Sequence, residues 1–219
     1  MFKTLWLTLA LSFAASASTN DIQIIKHQIL SSQAGVELLR HHLEESRYLN
    51  RSQTFSFEAV DEKTNYQNGD FVILWGVGSS ATDLTITENE YKGLWRVMNY
   101  LSQKEFRVIL NVRSTAEDLS QAIVSATTSV VVFSSHGNES AFYDFNHNPI
   151  PQNILSNHST SMYQFILSAC NGTIALRKNY VMPADLTIYS WAGLTNSTEL
   201  LEFLVSDNWT GLEGKPASH

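Results

Sequence analysis

The sequence predicts an α/β fold, a mainly parallel central sheet with helices on both faces, preceded by a helical N-terminal extension. Three observations predict it. Short apolar runs recur at Phe71–Trp75, Arg107–Val112, Val130–Phe133, Tyr163–Leu167 and Leu186–Tyr189, each suited to a strand buried on both faces. Amphipathic segments with capping signals separate several of them. Strand–helix alternation of this kind implies right-handed crossovers, which keep successive strands parallel.

The composition agrees with one folded domain. Of 219 residues, 43% are hydrophobic and 16% charged, a globular balance and not a disordered one. The formal charge of −7 comes without any basic run, which argues against nucleic acid as a partner. The N-terminus reads as a secretory signal peptide. Lys3 supplies a positive start, Thr4–Phe13 an apolar core, and Ala15-Ser16-Ala17 a small-residue cleavage site before Ser18. That core is too short for a permanent membrane anchor. Its removal leaves about 200 residues, the size of one domain with a small extension.

Cys170 is the one cysteine. It excludes an intrachain disulfide framework and a multi-thiolate metal cluster. An exported chain of this kind fits a bacterial periplasm or exterior better than a disulfide-rich secretory pathway. Six Asn-x-Ser/Thr sequons, at Asn50, Asn138, Asn157, Asn171, Asn196 and Asn208, read as a by-product of an Asn-, Ser- and Thr-rich chain. Several adjoin segments expected to be buried or active.

The elements follow in order. Residues 18–69 form the extension. A helix is expected over 21–49, from Ile22, Ile25 and Ile29 and then Val36, Leu39 and Leu43, with Gly35 weakening its middle. His41-His42 sits on it as a solvated pair, because adjacent histidines face different directions and do not share a metal. Residues 50–70 read as a linker holding one strand at Thr54–Ala59. The main domain spans 70–206, and 207–219 form a tail. Thr87 with Glu90 opens a helix carrying Tyr91, Leu94, Met98 and Leu101. Ser114 with Glu117 opens the next, carrying Leu119, Ala122, Ile123 and Ala126. Asn196 with Glu199 opens the last, carrying Leu200, Leu201 and Leu204. No internal repeat or low-complexity segment is present.

In a parallel sheet the chemistry gathers beyond the carboxyl ends of the strands. Gly76-Val77-Gly78 follows the first strand of the main domain but lacks the third glycine of a dinucleotide site. No cofactor and no metal is expected. The third of these strands ends at His136-Gly137 and the fourth at Cys170. If adjacent, they bring an imidazole and a thiol to one rim, as nucleophilic catalysis requires. Gly137 lets a substrate approach the backbone, and its N–H with that of Cys170 could form an oxyanion hole. A lone cysteine is also commonly a small buried hydrophobe, and a His-Gly pair can simply end a strand. Residues 138–161, polar and rich in Asn, read as a rim loop. His147 and His158 read there as ordinary loop residues.

The blocks VVVFSSHG and FILSACNG, with DLTIYSWAG after them, resemble the caspase–legumain–gingipain superfamily of cysteine peptidases over roughly residues 70–205. The resemblance implies an endopeptidase acting on peptide or protein substrates. Cys170 would be its nucleophile and His136 its general acid/base, with Gly137 and Cys170 as oxyanion donors. Asp83, Ser168, Ser190 and Trp191 would line the substrate pocket, and 138–161 would be a place for self-processing. Caspases carry Gln-Ala-Cys-Arg-Gly where this chain has Ser168-Ala169-Cys170-Asn171-Gly172. The arginines an aspartate pocket needs are missing after the first strand and after Trp191. Two other readings stay open: a caspase-like module that binds without cleaving, and an unrelated periplasmic α/β ligand-binding domain with a structural Cys170.

Overall fold

The computed structural model describes residues 22–27, 32–47, 51–59, 66–77 and 86–206. The expected signal peptide Met1–Ala17, the expected tail 207–219 and Asp83 lie outside the described residues. The elements are β1 (Ile22–His27), α1 (Ser32–Arg47), β2 (Gln53–Ala59), β3 (Asp70–Trp75), α2 (Glu88–Gln103), β4 (Arg107–Val112), α3 (Ala116–Val124), β5 (Thr128–Ser134), a short 3-10 turn (Ile154–Asn157), β6 (Gln164–Ser168), α4 (Gly172–Asn179), β7 (Thr187–Ser190) and α5 (Ser197–Val205).

The strands form one seven-stranded sheet in the order β1-β2-β4-β3-β5-β6-β7. From β4 to β7 every neighbouring pair is parallel. The β2–β4 pair is antiparallel, and β1 runs parallel to β2. The fold is therefore α/β with a mainly parallel sheet. The carboxyl ends of β3 to β7 share one rim, while β1 and β2 point the other way.

The predicted N-terminal extension is corrected here. Residues 22–27 are a strand and not the start of a helix, and the helix begins at Ser32. Ile22, Gln23, Ile24 and Ile25 favour a strand by their β-branched content, and β1 pairs residue for residue with β2. The segment 50–70 contains the predicted strand, but that strand joins the central sheet through β4. The region 18–69 thus supplies two strands and a helix to the sheet. The second correction is small. The cap of α3 is Thr115 with Asp118, one residue beyond the expected Ser114 and Glu117. Two further capping signals hold as read: Thr87 with Glu90 forms a full capping box, and the Asn196 side chain accepts from the Glu199 N–H.

Strand alternation sorts the core into two layers. Phe71, Ile73, Trp75, Val130, Val132 and Ile166 face one way, onto α1, α2 and α5. Val72, Leu74, Val131, Phe133, Phe165 and Leu167 face the other, onto α3 and α4. Apolar residues from Phe71 to Trp75 of β3 are thus required by burial on both faces, and buried Asp70 at its start is paired with Arg107.

Gly35 has a packing role that its helix propensity conceals. A Cβ built there would overlap the Trp95 indole, so Gly35 is the notch through which α2 crosses α1. On the opposite face, Tyr180 at the end of α4 stacks on Phe142 at 4.6 Å, and its hydroxyl donates to the Ile150 carbonyl at 3.0 Å. The segment 138–161 was expected as a polar rim loop. It is exposed over 138–140, 146–149 and 151–153, and it also buries Phe142, Phe145, Ile150 and Leu155 as a packed cap beside the rim.

Gly35→Ala is expected to destabilise the protein by about 1–3 kcal/mol in chemical denaturation, despite alanine's better helix propensity. Burial raises the Tyr180 hydroxyl above its ordinary pKa. Its contribution to stability is therefore complete below the unfolded-state value and is lost as pH rises through the folded-state value. Stability should fall above about pH 10, and Tyr180→Phe should flatten that limb while costing about 1 kcal/mol at neutral pH.

Candidate active site on the carboxyl rim

The site is set by strand register. β5 and β6 pair in parallel with Ser134 opposite Ser168. The pairing continues one step past the strands, where the Ser135 N–H donates to the Ser168 carbonyl at 2.9 Å. His136 and Cys170 each lie two residues beyond that last matched pair, so the chain brings both to one place on the rim. The winding of the sheet reverses one strand away. The β3–β4 connection runs one way and the β4–β5 connection returns past β3, which puts the switch point between β3 and β5.

Gly137 makes the approach close. A Cβ there would lie 2.7 Å from the Cys170 carbonyl oxygen, 2.9 Å from the Ala169 Cβ and 3.5 Å from the Cys170 nitrogen. Only glycine allows these two backbones to meet without a shift. Among the described residues, neither the Gly137 nor the Cys170 N–H donates a hydrogen bond. Both donors are available to an oxygen placed between them.

Cys170 stands at a sharp strand-to-helix turn. β6 ends at Ser168, Asn171 takes a left-handed conformation (φ 56), and α4 starts at Gly172. This turn and α4 are not evident from hydropathy, because α4 buries only Gly172, Ala175 and Leu176. The positive end of the α4 dipole faces the turn, the sign that suits an anion. Cys170 is partly exposed, and its Sγ donates to the Thr195 carbonyl at 3.7 Å. His136 is exposed.

The 191–195 loop is stitched to this turn. The Asn171 N–H donates to the Gly193 carbonyl at 2.7 Å, and the Thr173 N–H to the Trp191 carbonyl at 2.9 Å. Ser190 is tied in by its hydroxyl, 2.7 Å from that of Thr173. Trp191 packs edge-on against Phe203. With Gly193, Leu194, Glu199, Glu202 and Phe203 it lines a cavity of about 390 Å³. Ser190 and Trp191 therefore stand close to the cysteine turn. Ser168 is only 2% exposed at the end of its strand, so it supports the floor and offers little surface.

One neighbour was missed. His147, expected to be an ordinary loop residue, stacks on His136 with ring centroids 5.7 Å apart and planes 19° apart. The signal for it was local: Asp144, Asn146 and Asn148 are residues of tight turns, and such a turn returns the chain over the preceding strand end. His158 was expected to be solvated, but its side chain is only 9% exposed, with Nδ1 3.1 Å from the Leu155 carbonyl oxygen and Nε2 3.5 Å from the Asp185 carboxylate. Among the described residues no group of three or more His, Cys, Asp or Glu could hold a metal, and no helix is long and apolar enough to cross a membrane.

Gly137→Ala should force the two backbones apart and cost about 1–3 kcal/mol. Denaturation of the variant at unchanged midpoint would contradict the packing described for the rim. No protein-family model matches the chain, and no curated protein matches it in sequence.

Proposed function

We propose that the protein is an exported cysteine endopeptidase related in fold to the caspase–legumain–gingipain superfamily. The observation that carries the reading is the parallel register, which sets His136 and Cys170 level beyond adjacent strands with Gly137 against the Cys170 backbone. A structural cysteine would need neither a neighbouring histidine nor two unused N–H donors beside it.

The chemistry follows from those groups. His136 accepts the thiol proton as Sγ attacks the substrate carbonyl carbon. The carbonyl oxygen takes up negative charge between the Gly137 and Cys170 N–H groups. The C–N bond breaks, and His136 returns the proton to the leaving amine. Water, with His136 now taking its proton, hydrolyses the thioester and restores the thiol. The bond from Sγ to the Thr195 carbonyl gives way in the first step, so that loop shifts or the thiol rotates as substrate enters.

The cavity beside Trp191 bears on selectivity. Its lining carries Glu199 and Glu202 and no cation. A carboxylate side chain there would meet like charge, whereas a neutral or basic one would not. The signal peptide expected at Met1–Ala17 supports placing this activity outside the cytoplasm.

Cys170→Ala should abolish turnover of a mixed peptide library, and His136→Ala should lower kcat by roughly 10²–10⁴-fold. The wild type should spare peptides whose cleaved bond follows Asp or Glu. Undiminished turnover by Cys170→Ala would sink the nucleophile assignment.

A further inference from the structure

The hairpin that follows His136 grips it twice. Its first strand pairs with the rim, with Gly137 opposite Phe142 and the Tyr143 N–H donating to the His136 carbonyl at 2.9 Å. Its return strand begins where Tyr143 faces Pro149. Between them, residues 144–148 bring His147 back over the His136 ring.

That loop is built around Asp144, which is 3% exposed. Its Oδ1 accepts from the N–H groups of Asn146 at 2.9 Å and Asn148 at 2.8 Å. Its Oδ2 takes the Asn148 amide at 3.3 Å and the Ala116 N–H, at the start of α3, at 3.4 Å. The His147 N–H donates to the Asp144 carbonyl at 3.0 Å, and His147 is held at φ 60. A histidine in the left-handed region is uncommon. Here a buried carboxylate enforces it, and the result is a near-parallel stack on His136. The turn is anchored to the core, so the stacked ring has a fixed position.

We infer that His147 is a positioning residue: its ring, stacked on His136, holds the His136 imidazole in the orientation that serves Cys170. The inference rests on the peptidase reading above. Misaligned imidazole rotamers are lost to proton transfer, and the stack adds a restraint on the His136 ring. His147 exchanges no proton in this role; it supplies a flat face. Phenylalanine can supply the same face, and alanine cannot. Both substitutions carry the same left-handed backbone cost, so comparing them isolates the ring.

The test uses the whole protein in three forms: wild type, His147→Ala and His147→Phe. Turnover of the peptide library gives kcat and KM, and NMR of the His136 ring protons reads the stack through its ring-current shift. His147→Ala should lower kcat roughly three- to tenfold at similar KM, as loss of one aromatic pair would. Its His136 ring signals should lose the ring-current shift of the stack. His147→Phe should restore both readouts. Wild-type kcat in His147→Ala would overturn the positioning role alone, as would His147→Phe failing alongside His147→Ala. No turnover by the wild type would remove the peptidase reading, and the positioning role with it, even with the stack visible by NMR.

Discussion

The parallel pairing of β5 with β6 is the constraint on which the site depends. Ser134 opposite Ser168 fixes where each chain leaves the sheet. A slip of one residue would put Phe133 and Leu167 on the wrong face. Both are fully buried on the α3–α4 side, and Val132 and Ile166 on the other. The register is thus pinned by two hydrophobic layers at once, and the rim inherits that rigidity. His136, Gly137 and Cys170 need no further device to be brought level.

What the sheet leaves open, the connections close. Asn171 in the left-handed region turns the chain from β6 into α4 at the cysteine. The 191–195 loop is bound to that turn through the Asn171 and Thr173 N–H groups. The cap around Phe142, Phe145 and Ile150 holds the histidine side and is tied to α4 through Tyr180. A perturbation at the end of α4 is therefore felt on both sides of the rim. The antiparallel β2–β4 pair sets the amino end of β2 beside the carboxyl end of β4, and the sheet order keeps β1 and β2 away from β5 and β6.

The main sheet was legible in the sequence because β3, β5 and β6 are buried on both faces, and the middles of such strands read as continuous apolar runs. The histidine and cysteine were legible for the same reason, as polar residues at the ends of apolar runs. β1 was misread because Ile22 and Ile25 fit a helical spacing, while Ile22 and Ile24, which share one face of the strand, stay exposed at the sheet edge. Gly35 was misread as a weakness because its value lies in Trp95, far along the chain. His147 was hidden because its position comes from a turn and not from hydrophobic periodicity. Buried polar Asp144 organises that turn, and burial of a loop aspartate leaves no trace in composition.

The measurement that tests the central claim most directly is trapping of the covalent intermediate. Wild-type protein mixed with a good peptide substrate and quenched in acid should gain the mass of the acyl fragment, and peptide mapping should place it on Cys170. An intact mass unchanged during active turnover, or an acyl group on any other residue, would contradict the account.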